Sequence, residues 1–215
     1  LVSSELEPIH EAPADKAQEL NLILQSNDEQ TEPRFDPNRD IARGANFGNL
    51  VHDLLEQQPF AELVSGVNAD LRQSLCQKYG FKFNPTQEHA LDNLMRRIVT
   101  TPLAGENANL TLAQLPANKV LKEMAFYYRL TSGSTQQLND AMPKDVPFLA
   151  LKPQQLAGYL NGFIDLVFEH NNRYYLLDYK TNYLGSNPSD YAQDRLFEEM
   201  QHHSYGLQFM LYSLA

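Results

Sequence analysis

The sequence predicts an α/β fold, and three observations carry that prediction. Two segments rich in aromatic and branched residues, 159–168 and 173–180, flank a short polar turn and form the pattern of a β-hairpin. A third segment of similar composition, 120–130, predicts another strand. Segments with apolar residues at helical spacing lie before and after these strands. The 215 residues suffice for one domain with a sizeable core and a tail.

Helical periodicity predicts the elements around the strands. Three helices are expected before them, at 41–57, 68–79 and 86–100. After the hairpin, Ser189 can cap a helix that runs to residue 201, and a final apolar helix extends to the end of the chain. The polar, Pro-containing segment 131–155 predicts a long loop that leads into the hairpin.

The hairpin is expected to place two acidic residues opposite each other. Asn tolerates a positive φ, so the pair Asn171-Asn172 suits a two-residue type I′ loop in which His170 faces Arg173. Continued along both strands, this register puts Asp165 opposite Asp178. Opposed side chains on one sheet face have Cβ atoms about 4.5–5.5 Å apart. A β-bulge would break this pairing.

Two carboxylates at that separation repel each other unless something compensates the charge. A shared proton is one solution, and a hard divalent cation with oxygen ligands is another. Lys180 lies two residues beyond Asp178 and projects from the same strand face. An acid pair with a neighbouring Lys suits metal-assisted hydrolysis of phosphodiesters. The alternative is an ordinary hairpin with a surface Asp and Lys.

The spacing of these residues resembles a known nuclease pattern. Asp165, twelve intervening residues and then Asp178-Tyr179-Lys180 resemble the motif of the PD-(D/E)XK nuclease superfamily. More narrowly, the segments GFIDLVF, YYLLDYKTN and QFMLY are similar to the nuclease domains of the RecB family, over residues 43–215. The resemblance implies a restriction-endonuclease-like fold with a mixed central sheet and helices on both faces. It also implies a Mg²⁺-dependent DNA exonuclease, with single-strand endonuclease activity as an option.

The resemblance also assigns roles to individual residues. The segment GNLVH matches the Gly-x-x-x-His motif of these nucleases, which makes His52 a metal ligand. The other implied ligands are Asp165, Asp178 and the backbone carbonyl of Tyr179. They hold one Mg²⁺ ion, for which Ca²⁺ is a non-productive substitute. Lys180 is expected to assist the attacking water, which makes it catalytic together with Asp178.

Three further residues are supporting candidates by the same resemblance. Glu123 matches a Glu that RecB-like nucleases carry on the preceding strand, and a plain surface residue is the equal alternative. Gln208 and Tyr212 match a Gln-x-x-x-Tyr pattern that borders the active site in the family. Four residues apart, they share one face of a helix.

The charge of the chain is concentrated at one end. The formal net charge is −10, and residues 1–40 hold ten of the 27 acidic residues but three of the 17 basic ones. These 40 residues are predicted to be an acidic linker with one short helix. A solvated tether is the preferred interpretation, and an acidic strip that mimics DNA is the alternative. Residues 41–215 are predicted to form the nuclease domain.

Several expectations concern the larger assembly. The chain begins at Leu1 and stops at Ala215 within an apolar helical pattern, so both ends are expected to be cut from a longer polypeptide. The resemblance implies DNA, an upstream helicase domain of the same chain, and RecC- and RecD-like subunits as partners in double-strand-break repair and recombination. The single Cys76 and the lack of a signal-peptide pattern fit the bacterial cytoplasm, and no run is apolar enough for a membrane.

Some functions are excluded or disfavoured. No G-x-x-x-x-G-K-[ST] motif is present, so this stretch is not the ATP motor of a helicase. A catalytically silent module that only grips DNA or subunits remains an alternative. A stand-alone nuclease of phage or Cas4-like type is another, although the cysteines of an iron–sulfur site are missing.

Overall fold

The computed structural model describes residues 44–103, 109–185 and 187–214. The predicted linker at 1–40 lies outside this part of the chain. The α-helices are α1 Ala45–Gln57, α2 Phe60–Leu63, α3 Ala69–Tyr79, α4 Pro85–Thr100, α5 Thr135–Ala141, α6 Gln193–His202 and α7 Tyr205–Leu214. The strands are β1 Val120–Ser134, β2 Gln155–His170 and β3 Arg173–Leu177. Short 3-10 turns lie at Leu112–Gln114, Ala117–Lys119 and Pro188–Tyr191.

The helices before the strands form the main core. Their buried apolar residues pack with two residues of β2, Leu166 and Phe168, in one continuous cluster. Helix α1 is central to it, because Leu50 and Leu54 are fully buried on the face that the sequence predicted. Truncating such a leucine to alanine typically costs about 2–5 kcal/mol. This core holds α1 firmly against the sheet.

Local sequence signals explain where two of these helices begin. The Asn68 side chain accepts hydrogen bonds from the backbone N–H groups of Asp70 and Leu71, and so caps α3. Helix α4 begins with a capping box between Asn84 and Gln87, followed by a proline in its first turn. Each cap is worth about 1 kcal/mol.

The sheet has the order β1-β2-β3, and its strand pairs are antiparallel. No parallel pair occurs among the described residues, so the parallel component of the expected mixed sheet is not seen in this part of the chain. The hairpin loop is confirmed: His170 pairs with Arg173, and both intervening asparagines have positive φ. Phe126 lies opposite Gly162, where a Cβ would come within 2.8 Å of the Phe126 ring.

Three predicted boundaries are wrong. Strand β3 ends at Leu177 rather than at residue 180. Its ladder stops there because the Tyr179 N–H donates to the Asp165 carboxylate, at 2.7 Å, instead of to a backbone carbonyl. The predicted loop 131–155 contains the end of β1 and helix α5, which Ser134 caps. Ser189 lies in a 3-10 turn, and Ala192 is the residue that precedes α6.

The C-terminal helix lies beside the middle of the sheet. The ring of Tyr212 on α7 contacts the ring of Phe126 on β1 edge-on, with centroids 5.7 Å apart. Among the described helices, none has the length and apolar character that crossing a bilayer requires. Helices α1 and α7 thus each bring one face to the strands near residues 123, 165 and 178, where the polar groups collect.

Candidate active site

Glu123 and Asp165 face each other across β1 and β2. Lys122 pairs with Leu166 and Met124 pairs with Ile164, which leaves the two acids opposite each other between these pairs. Glu123 has a φ of 51°, a value that a residue with a side chain adopts only at some cost. Burial, and then the charge of Asp165, raises the pKa of Glu123. The strand is therefore distorted where two acids meet.

His52 completes a three-residue cluster with these acids. One ligand atom from each of His52, Glu123 and Asp165 lies within 4.8 Å of the others. The His52 ring is fixed from two sides: its Nε2 lies 3.1 Å from the Tyr179 carbonyl oxygen, and its Nδ1 lies 3.5 Å from Asp165 Oδ2. A carbonyl can only accept, so Nε2 donates in this contact. The Tyr179 carbonyl thus points at the same place as the cluster.

The charges of this cluster call for a compensating cation. The Asp165 side chain is only 10 % exposed. Burial, and then the charge of Asp178, raises the pKa of Asp165. Two acids, a backbone carbonyl and an imidazole are donors that a hard divalent cation accepts. The donor set therefore fits a divalent cation, and Glu123 is itself a member of the cluster.

Asp178 is held beside the cluster by other partners. It lies outside the β2–β3 ladder, so the predicted ladder pair with Asp165 is absent. Its carboxylate pairs with Lys180 and accepts a hydrogen bond from Gln208 Nε2 at 3.0 Å. Lys180 in turn donates to Gln208 Oε1 at 2.9 Å, and Gln208 Nε2 also donates to the Tyr212 hydroxyl at 2.6 Å. Gln208 is therefore hydrogen-bonded to both Asp178 and Lys180.

Lys180 also contacts Tyr205, which belongs to a chain of hydrogen-bonded side chains. Its Nζ lies 4.3 Å from the centre of the Tyr205 ring. The Tyr205 hydroxyl donates to Asn182 Oδ1 at 3.1 Å, and Asn182 Nδ2 donates to Glu199 at 2.8 Å. His203 also contacts Glu199, at 3.0 Å. Sequence reasoning missed Tyr205, Asn182 and Glu199, since no spacing rule joins residues that meet only through helix docking.

Comparison with known proteins accounts for this arrangement. A family profile described as the PD-(D/E)XK nuclease superfamily matches residues 22–215. The chain belongs to the PD-(D/E)XK nuclease superfamily. This confirms the predicted family and its fold class. Asp165, Asp178 and Lys180 are the residues that the sequence predicted for the two acids and the lysine of that motif.

Relatives within the superfamily share the name RecBCD enzyme subunit RecB. The chain is similar to that of Haemophilus influenzae, with 36% identity over 180 residues, which cover 82% of this chain and 14% of the relative. For Escherichia coli K12 the identity is 35% over 189 residues, 86% of this chain and 15% of the relative. For Mycobacterium tuberculosis it is 33% over 202 residues, 80% of this chain and 18% of the relative. The chain therefore spans about one seventh of the first two relatives.

A helical glycine brings the two halves of this PD-(D/E)XK site together. Gly48 lies one turn before His52 on α1, and a Cβ at its position would come 2.9 Å from Thr181 Oγ1. Thr181 directly follows the catalytic candidate Lys180. A glycine within a helix costs about 1 kcal/mol relative to alanine. Here the glycine lets the segment that carries Lys180 lie against the helix that carries His52.

The structure thus brings together most of the predicted site. His52, Asp165 and the Tyr179 carbonyl converge, and Glu123 joins them, which favours its supporting role over that of a surface residue. Asp178, Lys180, Gln208 and Tyr212 form a hydrogen-bonded group alongside.

Proposed function

We propose that this chain is a Mg²⁺-dependent deoxyribonuclease domain that hydrolyses DNA phosphodiester bonds. The observation that carries the proposal is the meeting of His52, Glu123 and Asp165 beside the Asp178–Lys180 pair. The candidate cation ligands then lie beside a positively charged donor, Lys180, and a further acid, Asp178. The same groups, intact, argue against a catalytically silent module.

The residues divide into those that hold the cation and those that handle the phosphate. His52, Asp165 and the Tyr179 carbonyl would hold the ion, with Asp178 and Glu123 as the further acids. When bound, a divalent cation supplies a Lewis acid and a water of lowered pKa. An ion held by oxygen-rich donors of this kind matches Mg²⁺ better than a soft metal.

Lys180 is the group of this chain that meets the developing charge. Its ammonium carries three donors, and the contacts with Asp178, Gln208 and Tyr205 fix its direction. A fixed donor that points at a site of charge development needs no reorganisation during the reaction. Lys180 therefore orients the attacking water or stabilises the oxygens of the phosphate. Gln208 keeps Asp178 and Lys180 in register with each other.

We further propose that the domain works in a RecBCD-type helicase–nuclease during repair and recombination of DNA breaks. The relatives named RecB support this role. DNA, a helicase domain in the same polypeptide, and RecC- and RecD-like subunits would be the partners. Residues 41–215 hold 17 acidic and 14 basic residues, a net charge of −3. This charge supports dependence on such partners, because phosphate affinity comes chiefly from Lys and Arg.

Cleavage of end-labelled DNA tests the catalytic assignment. In Mg²⁺, Asp178→Ala and Lys180→Ala should each lower the cleavage rate by roughly 10²-fold or more, as removal of one charge-stabilising group does. Asp145→Ala, an exposed acid in the loop before β2, is the control and should keep the parent rate. Ca²⁺ in place of Mg²⁺ should bind without supporting cleavage. Full activity of Asp178→Ala would overturn the proposal.

A further inference from the structure

An apolar cavity opens directly beside the Asp178–Lys180 pair. It has a volume of about 380 Å³ and lies between the end of β3 and helices α6 and α7. Asp178 and Lys180 themselves form part of its wall. A molecule whose phosphate lies at Lys180 therefore has an adjoining space for whatever is attached to that phosphate.

The walls of this cavity are apolar and accessible. Five side chains that line it are each between 40 % and 57 % exposed: Leu176, Tyr191, Leu196, Met200 and Phe209. Contiguous exposed apolar surface of this kind usually marks a binding site. The Tyr191 ring is also fixed, because its hydroxyl accepts a hydrogen bond from the Leu184 N–H at 3.3 Å.

The polar groups at the cavity wall are already paired within the protein. Both ends of the Asn182 amide are engaged, with Glu199 and with Tyr205. The Gln208 amide is engaged with Asp178, Lys180 and Tyr212. A ligand in this cavity would therefore be held through contact and stacking with apolar side chains, rather than through recognition of its hydrogen-bonding edge.

We propose that the cavity receives one unstacked nucleobase of a single DNA strand, the base of a nucleotide that adjoins the scissile phosphate. This inference rests on the proposed nuclease function. A flat, apolar-faced base is what a phosphodiester substrate carries next to its phosphate, and the cavity is continuous with the residues that would hold that phosphate. A base within a duplex is stacked and paired, and its extrusion costs a few kcal/mol. The cavity therefore favours single-stranded or frayed ends.

The way in which the base is held also determines whether cleavage depends on which base is present. Stacking on aromatic side chains tolerates any base, because every base has a π-face. The site should therefore require that a base is present without selecting which one. Phe209 is the most exposed of the five side chains at 57 %, so it is the residue to test. Phe197 on α6 is the matched control: it is 43 % exposed but does not line the cavity.

The experiment uses end-labelled single-stranded oligonucleotides that differ by one abasic residue at a central position. The parent protein should cut the phosphate on one side of the abasic residue about tenfold more slowly than the same phosphate in the intact oligonucleotide. In Phe209→Ala, the intact oligonucleotide should be cut more slowly at every phosphate, and the effect of the abasic residue should shrink. Phe197→Ala should behave like the parent, and Met200→Ala should repeat the Phe209→Ala result.

The experiment distinguishes failure of the nuclease function from failure of the nucleobase site. If the parent protein does not cut the intact oligonucleotide in Mg²⁺, the proposed nuclease function fails. If it cuts both phosphates beside the abasic residue at the intact rate, the nucleobase site is wrong and the nuclease function stands. Equal effects of Phe209→Ala and Phe197→Ala would also overturn the nucleobase site.

Discussion

Glu123 lies opposite Asp165 at the point where β1 and β2 interrupt their pairing, and both acids have a raised pKa. The positive φ of Glu123 adds backbone strain at the same place. Strain and charge repulsion are tolerated together only where the surrounding core holds the chain in place. The cost belongs to the metal-free protein, since a bound cation would neutralise the acids that repel each other.

The first prediction is that Glu123→Gln stabilises the metal-free protein. A group with a raised folded pKa binds more protons in the folded state, so its contribution to the free energy of unfolding falls as pH rises through that pKa. Glu123→Gln has no ionisable group at this position, so its free energy of unfolding does not fall in this way. In EDTA, the urea midpoint of Glu123→Gln should exceed that of the parent at pH 7.5, and the gap should close near pH 4.

Mg²⁺ provides the matching control for this prediction. A ligand that binds only the folded state stabilises it according to its concentration and affinity. Added Mg²⁺ should therefore raise the midpoint of the parent more than that of Glu123→Gln. A metal-free variant that is less stable than the parent at pH 7.5 would contradict the view that this acid is under electrostatic strain.

The second prediction concerns the contact between Gly48 and Thr181. A Cβ at position 48 would come 2.9 Å from Thr181 Oγ1, so Gly48→Ala must displace that side chain and the neighbouring Lys180. Misplacement of a catalytic group by about 1 Å can cost as much as 10²-fold in rate. Gly48→Ala should lower the cleavage rate, while the gain in helix propensity should leave thermal stability nearly unchanged.

A double-mutant cycle separates this contact from other effects. Thr181→Ala removes Oγ1, and Gly48→Ala should then cost much less in that background than in the parent. Coupling of this size is expected only for residues in contact. Purely additive rate losses in the cycle would show that the glycine serves another purpose.

The third prediction concerns Lys122, the residue before Glu123. Its Nζ donates to three carbonyls at the end of α1, those of Leu55, Glu56 and Gln58. It thereby ties β1 to the helix that carries His52. Lys122→Met leaves those acceptors unpaired, at a cost of roughly 1–3 kcal/mol in the free energy of unfolding.

The pH dependence of that cost follows from the lysine's environment. Burial lowers the pKa of Lys122 to about 8, whereas the pKa of an unfolded lysine is about 10.4. Between these values the unfolded chain binds a proton that the folded chain does not, so the free energy of unfolding rises with pH. Urea melts from pH 7 to 10 should therefore show the parent gaining stability relative to Lys122→Met. A constant difference would contradict the burial of this ammonium.

The sequence predicts the hairpin well because its register is decided locally. Asn171 and Asn172 fix the loop type, and the loop fixes the pairing of His170 with Arg173. The end of β3 could not be predicted in the same way. It depends on a competition in which the Asp165 carboxylate, rather than a backbone carbonyl, accepts from Tyr179.

Other parts of the site depend on tertiary packing, which periodicity does not encode. The opposition of Glu123 and Asp165 follows from the register of β1 with β2, and a connection of some twenty residues between two strands fixes no register. Tyr205 reaches Lys180 only because α7 docks where it does. His52 could be named in advance because the segment GNLVH matches the Gly-x-x-x-His motif of the family, and that match needs no knowledge of the packing.

The last prediction is that Tyr205 positions Lys180. Its ring lies 4.3 Å from Lys180 Nζ, and Asn182 holds its hydroxyl. Tyr205→Leu removes the ring and a cation–π contact worth about 0.5–2 kcal/mol, so kcat should fall roughly 3- to 30-fold. Tyr205→Phe keeps the ring and should lose much less.

The substrate for both variants is bis(p-nitrophenyl) phosphate, which has no nucleobase, so binding of a base cannot affect the measured rate. Tyr174→Leu is the control, because that tyrosine is 78 % exposed and lies next to the hairpin loop, where it pairs with Glu169. If Tyr205→Leu changed KM but not kcat, or if Tyr205→Phe lost as much activity as Tyr205→Leu, the ring would not be what positions Lys180.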